Sequence, residues 1–285
     1  MLEIVAPMRK SSNEAALAFV ERIKKETAIL DGIDYLNVPE IVDENYAGQP
    51  LYRHMDACEF SALLKKSMQV EVIVNKAVAY MKSEDIFKEW VHNAASSYGI
   101  RDIVIVGGSS NLRNYPGPQV MRANEMASSI KGLRIGNICI PSRKGEADRL
   151  VLKTRSGASF FTTQLLLEPS EVEDVLLDYS SKCSDADMRP ATFFLSFGPA
   201  AAEFDIDFFK WLGASIPDDI EHRLRRSANM GSESIAIALE SLSDIESFIA
   251  KEELGVKIGV NVEAISNSNL TLACRMLSAI QLKHK

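Results

Sequence analysis

No stretch of the chain approaches the roughly 18 consecutive apolar residues that cross a bilayer. The first ten residues, MLEIVAPMRK, also lack the basic segment followed by a long apolar one that marks a secretory leader. A cytoplasmic location is expected. Positive charge is in deficit as well: 32 Lys and Arg stand against 39 Asp and Glu, a net charge of −7. A nucleic-acid groove or an anionic membrane surface requires a basic face, so neither is an expected partner, whereas small molecules or proteins fit. Cysteine is sparse and scattered. Cys58, Cys139, Cys183 and Cys274 form no C-x-x-C pair, which gives no sign of a zinc knuckle or a disulfide framework, and no metal site is expected. They read as reduced packing residues, with Cys139 alone in a strand that would approach a site. The chain also lacks a Gly-Lys-Ser/Thr phosphate loop, and no strand is followed by G-x-G-x-x-G.

What remains is the composition of an ordinary globular protein, 46% hydrophobic and 25% charged over 285 residues, long enough for one large domain or two ordinary ones. No linker divides it, so residues 1–285 are expected to form a single domain. The order of elements is β–α throughout. Strands are expected at 2–6, 34–38, 70–74, 102–106, 134–140, 160–167, 192–197 and 257–262. Between them lie amphipathic helices, one with Ser83 as N-cap and Gly99 as stop, another announced by the pair Ser170 and Glu173 as a capping box. After strand seven, helices are expected near 204–213, 217–227 and 232–253, the last with a break at Ser243. A long polar loop, 40–56, follows strand two.

Eight short strands, mostly β-branched and continuous rather than alternating, predict an α/β fold, a single (β/α)8 TIM barrel. Its ligand site belongs at the C-terminal ends of the strands. That places Glu3, Asn37, Asn75, Gly107 to Ser109, Ile140, Gln164, Ser196 and Asn261 in or near one bowl. Gln164 is the one amide inside the apolar run 160–167. An unpaired buried amide costs about 1–3 kcal/mol, so it requires a partner, either a protein group or a ligand. The Gly107-Gly108-Ser109 turn brings backbone amides close to a ligand, or serves equally as a tight strand-to-helix turn.

Lys153 followed by Ser156-Gly157-Ala158-Ser159-Phe160-Phe161-Thr162-Thr163-Gln164 resembles the Lys-x-x-x-Gly-Ala-Asp-Phe-Ile-Ile-Thr-Gln segment of the methylenetetrahydrofolate reductase family, flavin-dependent barrels of one-carbon metabolism and methionine biosynthesis. Glu3, Ala6-Pro7 and Arg9 are similar to the family's opening Glu-x-x-Pro-Pro-Lys/Arg. Asn37-Val38-Pro39, Gly99 to Ile103 and Phe209 to Pro217 extend the likeness over almost the whole chain. The resemblance implies an oxidoreductase that reduces the methylene group of a methylene-tetrahydropterin to methyl. It implies Glu3 as the general acid that opens the bridged ring, Gln164 and Asn37 as substrate contacts, and Asp148 and Lys153 near an FAD cofactor.

Departures from the family pattern gather where the flavin belongs. Gly107-Gly108-Ser109 replaces Arg-Gly-Asp, Ile140 and Lys144 replace an aromatic and a histidine, and Val74-Asn75-Lys76 replaces a His-Leu-Thr-Cys character. Those replacements point to altered FAD binding, to a different nicotinamide or deazaflavin donor, or to a phosphate site rebuilt from the amides of 107–109 with Arg143 and Lys144. A redox-inactive folate- or pterin-binding barrel associated with methyl transfer is the alternative, and a homo-oligomer is compatible with either.

Overall fold

The computed structural model describes residues 1–45, 49–108 and 113–285. Eight parallel strands close into a barrel: β1 (Leu2–Glu3), β2 (Tyr35–Pro39), β3 (Glu71–Ala77), β4 (Asp102–Val106), β5 (Arg134–Cys139), β6 (Ala158–Leu165), β7 (Thr192–Phe197) and β8 (Ile258–Glu263). Each strand pairs with its neighbour in sequence, and β8 returns to β1, so the (β/α)8 expectation holds. Inside the loop after β2, Asp43–Glu44 pairs antiparallel with Pro50–Leu51.

The helices are α1 (Asn13–Glu26), α2 (Ala57–Met68), α3 (Glu84–Ser96), α4 (Val120–Ser128), α5 (Glu146–Arg155), α6 (Pro169–Asp185), α7 (Glu203–Trp211), α8 (Asp218–Arg226), α9 (Met230–Lys251) and α10 (Leu270–Lys283). Ser83 caps α3 as expected, its hydroxyl accepting from the Ile86 amide at 3.3 Å. Two local expectations require correction. The α6 cap is Glu168, whose carboxylate accepts from the Ser170 amide at 3.2 Å, while the Ser170 hydroxyl donates to the same oxygen. Pro169 fixes that start, because its missing N–H costs nothing in the first turn. Helix α9 runs unbroken through Ser243, since Ile237, Ala238, Leu242 and Ile245 keep one buried face against the barrel on both sides of it.

Two cores result from the period-two alternation of the strands. Outward side chains pack under the helices. Phe161 on β6, Phe193 on β7 and Tyr179 on α6 are fully buried there, with ring centroids 5.1 to 5.9 Å apart. The Tyr179 hydroxyl is satisfied by Thr154 at 2.8 Å and by the Ala191 amide at 2.9 Å. Inward side chains fill the lumen, where Met1, Ile73, Val104 and Phe160 form a separate apolar cluster with Tyr35, Val106, Ile138 and Phe194.

One backbone contact sets a testable limit on the loop above β4. A Cβ placed on Gly117 would lie 1.9 Å from the Val78 carbonyl oxygen, and the Gly117 amide donates to Ala79 at 3.0 Å. Gly117→Ala should therefore lower stability by about 1–3 kcal/mol, the usual range for overpacking against atoms that cannot yield. Urea denaturation checks this, and an unchanged midpoint would show that the loop relaxes freely.

Candidate functional site

Above the apolar plug the inward positions turn polar. Continuing the alternation by two residues from Met1, Tyr35, Ile73 and Phe160 reaches Glu3, Asn37, Asn75 and Thr162, and the same face of β7 and β8 carries Ser196, Asn261 and Glu263. Strand register brings them together: Glu3 lies opposite Asn37 on one side and Glu263 on the other, and Asn261 lies opposite Ser196. The Asn37 amide donates to Glu3 Oε2 at 2.6 Å. Asn261 donates to Ser196 Oγ at 3.0 Å, with the same Glu3 oxygen 3.5 Å away.

This ring is charged with spare acceptors. Asn37, Asn75 and Asn261 each keep a buried side-chain oxygen, and Thr162 a buried hydroxyl, without a hydrogen-bond partner among the described residues. Burial raises the Glu3 carboxyl well above its ordinary range and the nearby Glu263 charge raises it further, against the opposing hydrogen bonds from Asn261 and Asn37. Glu263 is raised to about 7, again by burial, with a hydrogen bond from Ser196 working the other way. Two carboxyls on adjacent strands thus bind their protons more tightly than free carboxylates do, which suits a proton donor. Glu263 was invisible as a strand residue because the apolar run ends at Val262; its signal was its position two residues beyond Asn261 on the same face.

Beside the ring, the tops of β4 and β5 and the starts of α4 and α5 enclose a cleft of about 640 Å3. From the barrel it is lined by Ile105, Val106, Asn137 and Ile138. Of the residues expected near a cofactor, Gly107, Gly108, Ile140 and Lys153 also line it, Lys144 and Asp148 do not, and Ser109 lies outside the described residues. Gly108 makes room for an internal ring: a Cβ there would fall 2.2 Å from Tyr115. Lys153 is buried, donating to the Ile138 carbonyl at 2.7 Å and to Glu146 at 3.3 Å, and burial lowers its pKa against the pull of Glu146. Asp148 is exposed and paired with Lys182 of α6 at 2.9 Å, and Lys144 is exposed with its carbonyl accepting from Arg149 at 2.7 Å. The positive charge of the cleft comes from Arg113, Arg143 and Arg149. Arg113 pairs with Glu44 at 2.5 Å, Arg143 stands 3.7 Å from Glu146, and among the described residues Arg149 donates to backbone carbonyls only. Arg113 sits in a loop without pattern, and no sequence signal marks it.

Gln164 is the penultimate residue of β6, at the rim and partly exposed. Its Nε2 donates to the Leu212 carbonyl at 2.5 Å, in the turn after α7, so this nitrogen is satisfied by backbone. Cys139 is fully buried and burial pushes its thiol far up, which makes it a packing residue. Among the described residues no group of acidic, histidine or cysteine side chains could hold a metal ion, and no helix is long and apolar enough to cross a membrane.

The family described as mycobacterial methylenetetrahydrofolate reductase matches residues 1–220. The chain belongs to that family. The matched segment holds Glu3, Asn37 and Gln164, whereas Asn261 and Glu263 lie beyond it. No curated protein sequence matches the chain. Among solved structures, an uncharacterized protein from Clostridium thermocellum that binds two copies of 5-methyl-5,6,7,8-tetrahydrofolic acid shares the fold at TM-score 0.81 and 18% identity, over 99% of this chain and 95% of that one. A structure described as a deoxyribose-phosphate aldolase from Toxoplasma gondii ME49 is more distant, at TM-score 0.51 and 12% identity, over 96% of this chain and 94% of the other. At these identities both show the barrel alone, and membership in the methylenetetrahydrofolate reductase family rests on the sequence match.

Proposed function

We propose that this barrel binds a reduced folate-type pterin in its polar ring and reduces the methylene group of a methylene-tetrahydropterin to methyl, with Glu3 as the proton donor. The observation that carries this reading is the Glu3 carboxyl, its pKa raised by burial and by Glu263, and fixed by Asn37 at the centre of the ring. A reduced pterin presents ring N–H and amino donors. The free oxygens of Asn37, Asn75 and Asn261 are complementary acceptors, and satisfying each offsets the cost of leaving it unpaired, about 1–3 kcal/mol. Gln164 and the neighbouring turn after α7 stand at the rim, where they would meet the substrate's outer part. The Clostridium protein's two bound methyl-tetrahydrofolates support the ligand class.

Glu3 protonates the bridging amine nitrogen, and the bond from that nitrogen to the methylene carbon breaks. This leaves an iminium on the pterin side. Completing the methyl group would take a hydride, two electrons and a proton's worth of hydrogen, delivered to that carbon. That hydride comes from a bound two-electron carrier when one is present. FAD is the family expectation, but the residues foreseen for it do not fit: Gly108 is filled by Tyr115, and Lys153 is neutralised by Glu146. Arg143 and Arg149, which line the same cleft, would instead suit the phosphates of a nicotinamide or deazaflavin carrier.

The test is to supply methylene-tetrahydrofolate with, in turn, NADH, NADPH, reduced FAD and a reduced deazaflavin, and to measure methyl-tetrahydrofolate formed. Product with at least one donor is expected. Tight binding of methyl-tetrahydrofolate without turnover by any donor would reduce the protein to a pterin-binding barrel.

A further inference from the structure

At the opposite end of the barrel, the N-terminal ends of the strands surround a second cavity of about 630 Å3. In this fold that face ordinarily serves stability, and the lumen is a packed core. Here it is open enough for a ligand, since binding pockets run from roughly 300 to 1,000 Å3. Its inner wall is apolar. Ile73, Phe160 and Phe194 belong to the lumen plug, and the two rings meet edge to face with centroids 5.7 Å apart. Phe194 points inward yet remains partly exposed.

The outer wall is cationic. Arg134, Arg189 and Lys257 line the cavity against a single acid, Asp102. Asp102 is already committed: it is 2% exposed and bound to Arg134 at 2.5 Å. Arg134 is held from the other side by the Tyr35 hydroxyl, with its guanidinium 5.4 Å from the Tyr35 ring centre, so it is fixed before any ligand arrives. Arg189 and Lys257 have no ion pair or side-chain hydrogen bond among the described residues. Two unbalanced cations at the mouth of an aromatic-floored cavity, in a protein of net charge −7, make a local field opposite in sign to the whole.

We propose that this cavity is a second ligand site, for an organic dianion with a flat apolar body. The body lies on Phe160 and Phe194, and the anionic groups meet Arg189 and Lys257 at the mouth, beside the starts of β7 and β8, with Arg134 at the start of β5 as a rigid part of the wall. The site is independent of the reading given to the upper ring, since it shares no residue with it.

The probe is 2,6-naphthalenedicarboxylate, titrated into the full chain by calorimetry, with naphthalene-2,6-dimethanol as its uncharged counterpart. The dianion is expected to bind with one-to-one stoichiometry, the neutral compound at least tenfold more weakly, and the double variant Arg189→Ala/Lys257→Ala to weaken the dianion at least tenfold. Both substituted residues are exposed, and an unchanged melting temperature confirms that the variant folds. Arg149→Ala, in the upper cleft, should leave the affinity as it was. The proposal is overturned by absence of binding at millimolar probe, by equal binding of the neutral compound, by an unaffected double variant, or by loss of affinity in Arg149→Ala.

Discussion

Glu3→Gln should lower turnover of a methylene-tetrahydropterin by about 10²–10⁴-fold, the usual contribution of a positioned general acid, while substrate affinity changes little. Glutamine keeps the length of the side chain and an oxygen that can accept from Asn37, so the ring retains its shape. What it removes is the transferable proton. The same substitution abolishes the Glu3–Glu263 repulsion, so the folded protein should be no less stable. Turnover equal to that of the unaltered protein would exclude Glu3 from the proton transfer. A large loss of both affinity and stability would show instead that Glu3 organises the ring.

The second large effect concerns pH. A proton donor acts only while protonated, and the Glu263 charge is one of the two causes that hold the Glu3 pKa up. Glu263→Gln removes that cause, so the alkaline limb of the rate profile should move to lower pH. A displacement of one pH unit would cost about tenfold in rate above the limb. A profile that falls in height without moving would mean that Glu263 positions substrate rather than tuning Glu3.

Stability follows the same linkage. The Glu263 carboxyl is raised from 4.5 to about 7 on folding, so the folded state binds its proton more tightly than the unfolded chain does. Its contribution is fully present below 4.5 and is lost as pH rises through about 7. Urea midpoints between pH 4.5 and 8 should therefore decline more in the unaltered protein than in Glu263→Gln, and parallel curves would contradict the raised pKa.

These expectations rest unevenly on sequence. The barrel was legible because each strand is short, β-branched and apolar on both faces, a pattern that only a fully covered parallel sheet satisfies. Glu3 and Asn37 were legible as strand-end polar residues, and their contact at 2.6 Å is what parallel pairing of β1 with β2 requires. The position of α9 could be read from its apolar period, but the break expected at Ser243 does not form, because one continuous buried face runs through it. Gln164 was recognisable as an amide needing a partner; that its nitrogen reaches the Leu212 carbonyl depends on a turn 48 residues away.

The cofactor side shows the limit more sharply. Gly107-Gly108 in sequence permits either close approach of a ligand or a tight strand-to-helix turn, and in the fold the Tyr115 ring takes the space that a Cβ on Gly108 would need. Lys153 in sequence is a cation available to any anion, yet in the fold its ammonium is spent on Glu146 and the Ile138 carbonyl. By itself the sequence determined the strand order, the family and the polar residues at the strand ends, because these depend on local period and local motif. Only the tertiary structure decided that Glu3 meets Glu263, 260 residues away, and that Arg134, Arg189 and Lys257 share one cavity. Closing a barrel fixes register between its first and last strands, and the charge a carboxyl feels is set by those neighbours in space, which no local pattern records.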